Sequence, residues 1–223
     1  MGLKGIPQLA EAMQIERDLR LFRYFPSKLH FGPVTTKAGL DLLIAAKAEG
    51  LDISIETSAL YLLLDDSENL EFDPVTKVYP PLRGVEDVAA LREAVAKRLI
   101  DVVSSSHHPQ GLEEKTHDFV EAAFGADTLE TSFSALITGM KEISHELEPV
   151  IASISNNPRD ILNLPQASIE TGQIAELTHF DPKKTWTPTK SDIRSKSKSN
   201  PLLEMELQGL VLGVYVKGKY WKA

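Results

Sequence analysis

The 223-residue chain contains no cysteine, which excludes disulfides, thiolate metal ligands and a cysteine nucleophile. Basic residues are in the minority, 24 against 32 acidic ones, for a net charge of −8 and a pI near 5.3. Neither a nucleic-acid surface nor a basic stripe for anionic lipid is expected from that balance. No apolar run approaches the roughly 20 residues of a membrane span. The N-terminus also lacks the basic-then-apolar layout of a secretory signal, so the cytoplasm is the default location. There are six histidines, yet no His-x-His pair. What remains, 42% hydrophobic and 25% charged residues, is a globular composition with length for one large domain or a medium one with a small appendage.

After a short lead-in, Pro7 is placed to start a helix. Leu9, Met13, Ile15, Leu19 and Phe22 recur near helical spacing up to the stop at Pro26. A strand over Leu29–Val34 is followed by a Thr35-Thr36 cap and a helix from Lys37 to Glu49 ending at Gly50. Ile53 and Ile55 alternate with Ser54 and Glu56 as a second strand. Asp65, Asp66 and Glu68 form a loose acidic cluster of the kind found in solvated loops, and the Pro80-Pro81 pair rules out helix there. A helix over Val85–Leu99 leads into a third strand at Ile100–Val103. Further helices are predicted over Lys115–Ala123, Leu129–Ile143, Glu148–Ser155 and Pro158–Leu164. Strands alternating with amphipathic helices are the pattern of a parallel α/β layer, a doubly wound sheet or a barrel.

The texture changes beyond Pro165. Ile174–Phe180 and Gly209–Tyr220 read as strands, the second a hairpin turning at Lys217-Gly218. The Lys/Ser-rich stretch from Lys190 to Asn200 between them reads as a mobile linker in preference to an anion contact. A boundary is therefore expected near residue 165, separating residues 1–165 from a small β-rich element over 166–223.

The ordered set Gly5-Ile6-Pro7, Lys28-Leu29-His30, Glu56-Thr57, Lys77-Val78-Tyr79-Pro80-Pro81-Leu82-Arg83, Ala123-Phe124-Gly125, Leu129-Glu130-Thr131, Asn157-Pro158 and Phe180-Asp181-Pro182 resembles bacterial dihydroorotases of the multifunctional-complex type. These are cyclic amidohydrolases of the amidohydrolase superfamily. The resemblance implies a metal-dependent (β/α)8 barrel flanked by a small β-sandwich, opening cyclic amides such as dihydroorotate with a zinc-activated hydroxide. Family chains are about twice as long, so the resemblance also implies that this sequence starts near the fifth barrel strand and carries the C-terminal half. Half a barrel leaves two strand edges and a core face open, to be covered by a second copy or another polypeptide.

The resemblance also marks departures. The histidine ligand expected after the fifth strand falls on Pro33, and the ligand after the sixth falls on Leu60. The aspartate that would bind metal and take the proton from water falls on Ser106, which cannot act as a base at neutral pH. A substrate-contacting histidine becomes Gln110, and an asparagine becomes Tyr79. The implied substrate pocket thus consists of Tyr79, Ser106, His107, Gln110, Phe124 and Gly125, with no intact catalytic residue. No metal or other cofactor is expected, although active members of the family use zinc.

The remaining candidates have plainer explanations. His107 and His108 are adjacent at a strand end and should point apart. His30 is expected to be satisfied by backbone hydrogen bonds, and His117, His145 and His179 show no ligand spacing. Ser104, Ser105 and Ser106 beside His107 lack a Gly-x-Ser-x-Gly turn, so they are expected to satisfy backbone groups. Three readings stay open. The favoured one is a catalytically inactive, dihydroorotase-like assembly partner of pyrimidine biosynthesis, since inactive homologues in that family hold aspartate transcarbamoylase together. The second is a zinc-dependent cyclic-amide hydrolase whose other half is supplied elsewhere, and the third a non-catalytic small-molecule binding module. The expected partner is a second copy or another protein, with no nucleic acid and no membrane.

Overall fold

The computed structural model describes residues 5–143 and 146–223; the expectation for His145 lies outside them. The first part alternates α1 (Gln8–Tyr24), β1 (Leu29–Phe31), α2 (Lys37–Ala48), β2 (Ile53–Ser58), α3 (Val85–Ala96) and β3 (Val102–Ser104). The three strands form a parallel sheet in the order β1-β2-β3, with Leu29 opposite Ile53 and Glu56 opposite Val102. This is the α/β pattern that the alternating periodicity predicts.

Local chemistry explains several boundaries. Pro7 stands just before the first turn of α1, where its carbonyl accepts from the Ala10 N–H at 3.0 Å. The Thr36 hydroxyl accepts from the Gly39 N–H at 3.0 Å and so caps α2. Gly50 closes that helix with a φ of 86°. The Glu11 carboxylate of α1 accepts from the amide and hydroxyl of both Thr35 and Thr36, at 2.5–3.0 Å, pinning one helix to the N-terminus of the next. One end of the sheet is fixed by Asp101, whose side chain accepts from the Ile55 N–H at 2.7 Å and from Lys47 Nζ at 2.5 Å.

One face of the sheet packs against the helices through Phe31, Ile53, Ile55 and Val103, which join Leu19, Leu40, Leu43 and Leu91 in the core. The other face is polar. There His30 Nδ1 lies 2.7 Å from Ser54 Oγ, and Nε2 lies 3.1 Å from Glu56 Oε2. His30 is therefore held by side chains, contrary to the backbone hydrogen bonds expected of it. The reason is parallel register, which puts His30, Ser54 and Glu56 on the same face.

Two expected helices differ. Lys115–Ala123 forms no helix; a single turn over Glu113–Lys115 ends where that helix is expected to begin. Its Lys115 ammonium is buried, donating to the carbonyls of Pro74 at 2.7 Å and Lys77 at 3.1 Å, so the stretch is tied down as a loop. The helix expected from Leu129 begins only at Ser132 (α4, Ser132–Met140), because residues 127–131 are engaged with the 194–200 segment. The next two helices are continuous: α5 (Leu147–Ile151) and α6 (Asn157–Ile161) are joined by a wide π turn over Ala152–Asn156.

Residues 177–222 form a three-stranded antiparallel sheet of β4 (Leu177–Trp186), β5 (Leu207–Val216) and β6 (Lys219–Lys222). The hairpin turns at Lys217 and Gly218, both left-handed, as expected for a two-residue turn. This sheet packs on α4: Trp186 Nε1 donates to Ser134 Oγ at 2.9 Å and the Gln208 N–H to Thr138 Oγ1 at 2.8 Å. Leu202 and Leu207 are fully buried within the same core as the parallel sheet.

The Lys190–Asn200 stretch is a correction to the expected mobile linker. Ile193 is 1% exposed, and Ser197, Ser199 and Asn200 are buried. The Arg194 and Ser195 amides donate to Glu130 Oε1 at 2.8 and 3.1 Å, and Asn200 Nδ2 donates to Thr131 Oγ1 at 3.0 Å. The polar composition that suggests mobility is used to satisfy buried partners. Ile193→Ala is accordingly expected to cost about 2–4 kcal/mol in urea denaturation, with faster proteolysis within residues 190–200. An unchanged midpoint would return the stretch to a surface linker.

Candidate functional site

The candidate residues gather at the C-terminal ends of the parallel strands, where open α/β sheets place their ligands. Pro33 follows β1, bonded neighbours of it being anchored by the Val34 N–H to the Glu56 carbonyl at 2.8 Å. Leu60 lies in a short 3₁₀ turn, Ala59–Leu62, immediately after β2; all four residues of that turn are buried, and Leu60 is 2% exposed. Its side chain belongs to the hydrophobic core. Ser106 follows β3 with a φ of 48°, in the left-handed region that few residues other than glycine, asparagine and aspartate adopt.

His107 and His108 part company after β3. The His107 ring turns inward: its Nδ1 accepts from the backbone amides of Thr128 and Leu129, both at 3.2 Å, and lies 3.6 Å from Asp127 Oδ1. With Nδ1 occupied as an acceptor, its proton resides on Nε2. His108 is exposed beside Gly125. Two of the three serines serve the backbone as expected: Ser105 Oγ accepts from the His107 amide at 3.3 Å and Ser104 Oγ donates to the Thr57 carbonyl at 3.4 Å.

Tyr79, Gln110, Phe124 and Gly125 form a second group. Tyr79 and Phe124 meet edge to face with centroids 5.7 Å apart. Gly125 is required by close approach as well as by its φ of 130°: a Cβ there would lie 2.4 Å from the His108 carbonyl oxygen and 3.0 Å from Gln110 Nε2. The Gly125 N–H donates to the Lys77 carbonyl at 3.0 Å, joining this loop to the segment carrying Tyr79. The pocket candidates thus divide, with His107 turned towards residues 127–129 and Tyr79, Gln110, Phe124 and Gly125 together.

Asp127 was not indicated by any spacing in the sequence. It is fully buried, and neither carboxylate oxygen has a well-formed hydrogen bond, although the Ser195 hydroxyl and the Lys198 amide lie close by. Burial holds its carboxyl above the usual range, with Glu130 adding to the effect and Ser195 and His107 opposing it. Glu56 shows the opposite balance. Burial pushes its carboxyl up, but hydrogen bonds from His30 and Ser104 outweigh that and hold it below the usual range.

These residues do not fit a metal. Pro33 has no donor atom, Leu60 is apolar and buried, and the His107 Nδ1 lone pair is already used. Among the described residues no group of three or more His, Asp or Glu side chains could hold a metal ion. Nor is any helix among them long and apolar enough to cross a membrane.

Comparison with known proteins gives a consistent relationship. No family model matches the chain. A protein of Geobacter metallireducens named dihydroorotase is 36% identical over 219 residues, covering 98% of this chain and 52% of the relative. One of the same name from Carboxydothermus hydrogenoformans is 38% identical over 220 residues, 96% of this chain and 51% of the relative. Among solved structures, the L-hydantoinase (dihydropyrimidinase) of Arthrobacter aurescens superposes with a TM-score of 0.89 at 28% identity, over 96% of this chain and 49% of that one. A dihydropyrimidinase from Brevibacillus agri shares the fold, with a TM-score of 0.85 at 23% identity. The chain spans about half the length of the curated relatives it matches.

Proposed function

We propose, from the premise that this chain is a relative of the dihydroorotases over nearly its whole length, that it is a non-hydrolytic member of that family acting as an assembly partner in pyrimidine biosynthesis. In this reading residues 1–165 correspond to the C-terminal half of a (β/α)8 barrel, and residues 166–223 to part of the accompanying β-sandwich. One observation carries it: Leu60, one of the three positions (with Pro33 and Ser106) that the family resemblance assigns to metal ligands, is built into the core. A position that bound a metal would face the strand-end opening, whereas this one contributes to packing.

The surfaces left open support a partner. The polar face of the parallel sheet bears His30 and Glu56, whose side chains are 36% and 23% exposed, although parallel sheets are ordinarily covered on both faces. On α1, Leu9, Met13 and Tyr24 are 60–79% exposed. A second copy or a pyrimidine-pathway enzyme, with aspartate transcarbamoylase the first candidate, would cover them. Size-exclusion chromatography with light scattering, alone and with that enzyme, tests this. Co-elution or a defined oligomer is expected, and a monomer that ignores the enzyme would contradict the assembly role.

A further inference from the structure

A cavity of about 600 Å³ opens beside the strand-end site, lined by Ile6 and Pro7 ahead of α1, by Phe72, Val78 and Leu82, and by Phe119, Val120 and Phe124. None of Pro33, Leu60, Ser106, His107 or Gln110 lines it. That volume suits a small organic molecule, and the walls are mostly apolar.

Its polar groups are unequal. Thr76 Oγ1 is spent on Asn69 Oδ1 at 2.9 Å and the Asp73 carbonyl at 2.8 Å, and Gln8 Nε2 on Asp87 at 2.5 Å. Two cations have donors to spare. Arg83, 7% exposed, gives Nη1 to the Ile6 carbonyl at 2.6 Å and Nε to Thr35 Oγ1 at 3.2 Å. No acceptor among the described residues takes its Nη2, and no carboxylate pairs with it. Lys77 Nζ donates once, to the Val120 carbonyl at 2.7 Å, and stands 4.6 Å from the Phe124 ring centroid and 5.8 Å from that of Phe119. It too has no ion pair among the described residues. The acidic lining residue, Asp66, is exposed, and its N–H is held by the Arg83 carbonyl at 2.9 Å.

Positive charge is thus concentrated in an acidic protein. The buried Lys115 ammonium beneath the loop is held down to about 8 by burial and by Lys77, with Asp73 opposing. We infer that this cavity binds a small organic carboxylate with a flat apolar or aromatic body, the acid meeting Arg83 Nη2 and Lys77 Nζ and the body lying among Phe72, Phe119 and Phe124. Two cations without an ion pair among the described residues, each with donors to spare, call for an anion, and the aromatic walls call for an apolar body. An inorganic anion would satisfy only the first requirement.

The test is isothermal titration of the purified chain with benzoate, with benzamide of the same shape but no charge, and with inorganic phosphate. Benzoate should saturate with a dissociation constant of about 1 mM or tighter, benzamide should bind at least about tenfold more weakly, and phosphate should not saturate. Val120→Trp fills the rim from an exposed position and should abolish benzoate binding with thermal stability unchanged. Lys77→Met keeps the backbone carbonyl used by Lys115 and Gly125, and should weaken benzoate but not benzamide. The inference is overturned by equal affinity for benzoate and benzamide, by saturable phosphate binding at similar strength, by benzoate binding that survives both substitutions, or by no saturable benzoate binding at all.

Discussion

Replacing Glu11 by alanine is expected to lower the unfolding free energy by about 3 kcal/mol. The Glu11 carboxylate takes four hydrogen bonds, from the amides of Thr35 and Thr36 at 3.0 and 2.9 Å and from their hydroxyls at 2.5 and 2.8 Å. Both threonines are fully buried, so the amides could not find water once the carboxylate is gone. The same charge sits at the N-terminus of α2, where the helix dipole favours an anion. A shift in the urea midpoint at constant m-value checks the effect. Glu11→Gln should retain part of the stability, because its amide oxygen can still accept. A loss below about 0.5 kcal/mol for Glu11→Ala would show the contact to be an ordinary surface one.

Leu60→His should be comparably damaging, by about 3 kcal/mol. This substitution introduces the residue type that the family resemblance expects at this position, so it separates two pictures of the site. If Leu60 faced an open pocket, an imidazole would be tolerated, and added zinc could bind it. Its burial at 2% within the core predicts a loss of apolar contact together with a desolvated ring. A buried neutral imidazole has a folded pKa below its unfolded value. The penalty therefore grows as pH falls through the unfolded histidine value of about 6.5. Urea denaturation at neutral and mildly acid pH, with and without zinc, gives the comparison; no zinc rescue is expected, and a stable variant stabilised further by zinc would refute the core assignment.

Periodicity carried much of the fold. Of the helically spaced series Leu9, Met13, Ile15, Leu19 and Phe22, the last three mark the buried stripe of α1 and the first two are exposed, while alternation of Ile53 and Ile55 with Ser54 and Glu56 marks both faces of β2. Lys217-Gly218 announced the hairpin because a two-residue turn needs left-handed backbone. Long-range interactions escaped it. Lys115 opens a stretch with helical composition, yet two carbonyls more than 35 residues earlier in the chain hold its ammonium. The 190–200 segment reads as polar and mobile, because nothing local shows that Glu130 and Thr131 receive its N–H groups or that Ile193 enters a core.

For the site, the sequence displayed residue types but not orientation. His107 and His108 are adjacent in the chain, and only the fold shows that one ring is committed to the amides of residues 128 and 129 while the other is exposed. Asp127 gave no signal because its significance comes from being buried beside His107, 20 positions away in the chain and 3.6 Å away in space. Leu60 stood out in the sequence only through the family resemblance, and its place in the core was not legible there.

The most direct measurement is the zinc content of the purified chain after equilibration with excess zinc and removal of unbound metal, taken together with hydrolysis of dihydroorotate by the same sample. Pro33, Leu60 and Ser106 predict zinc far below one ion per chain and no turnover above the uncatalysed rate. One tightly held zinc per chain, accompanied by turnover, would contradict the non-hydrolytic reading.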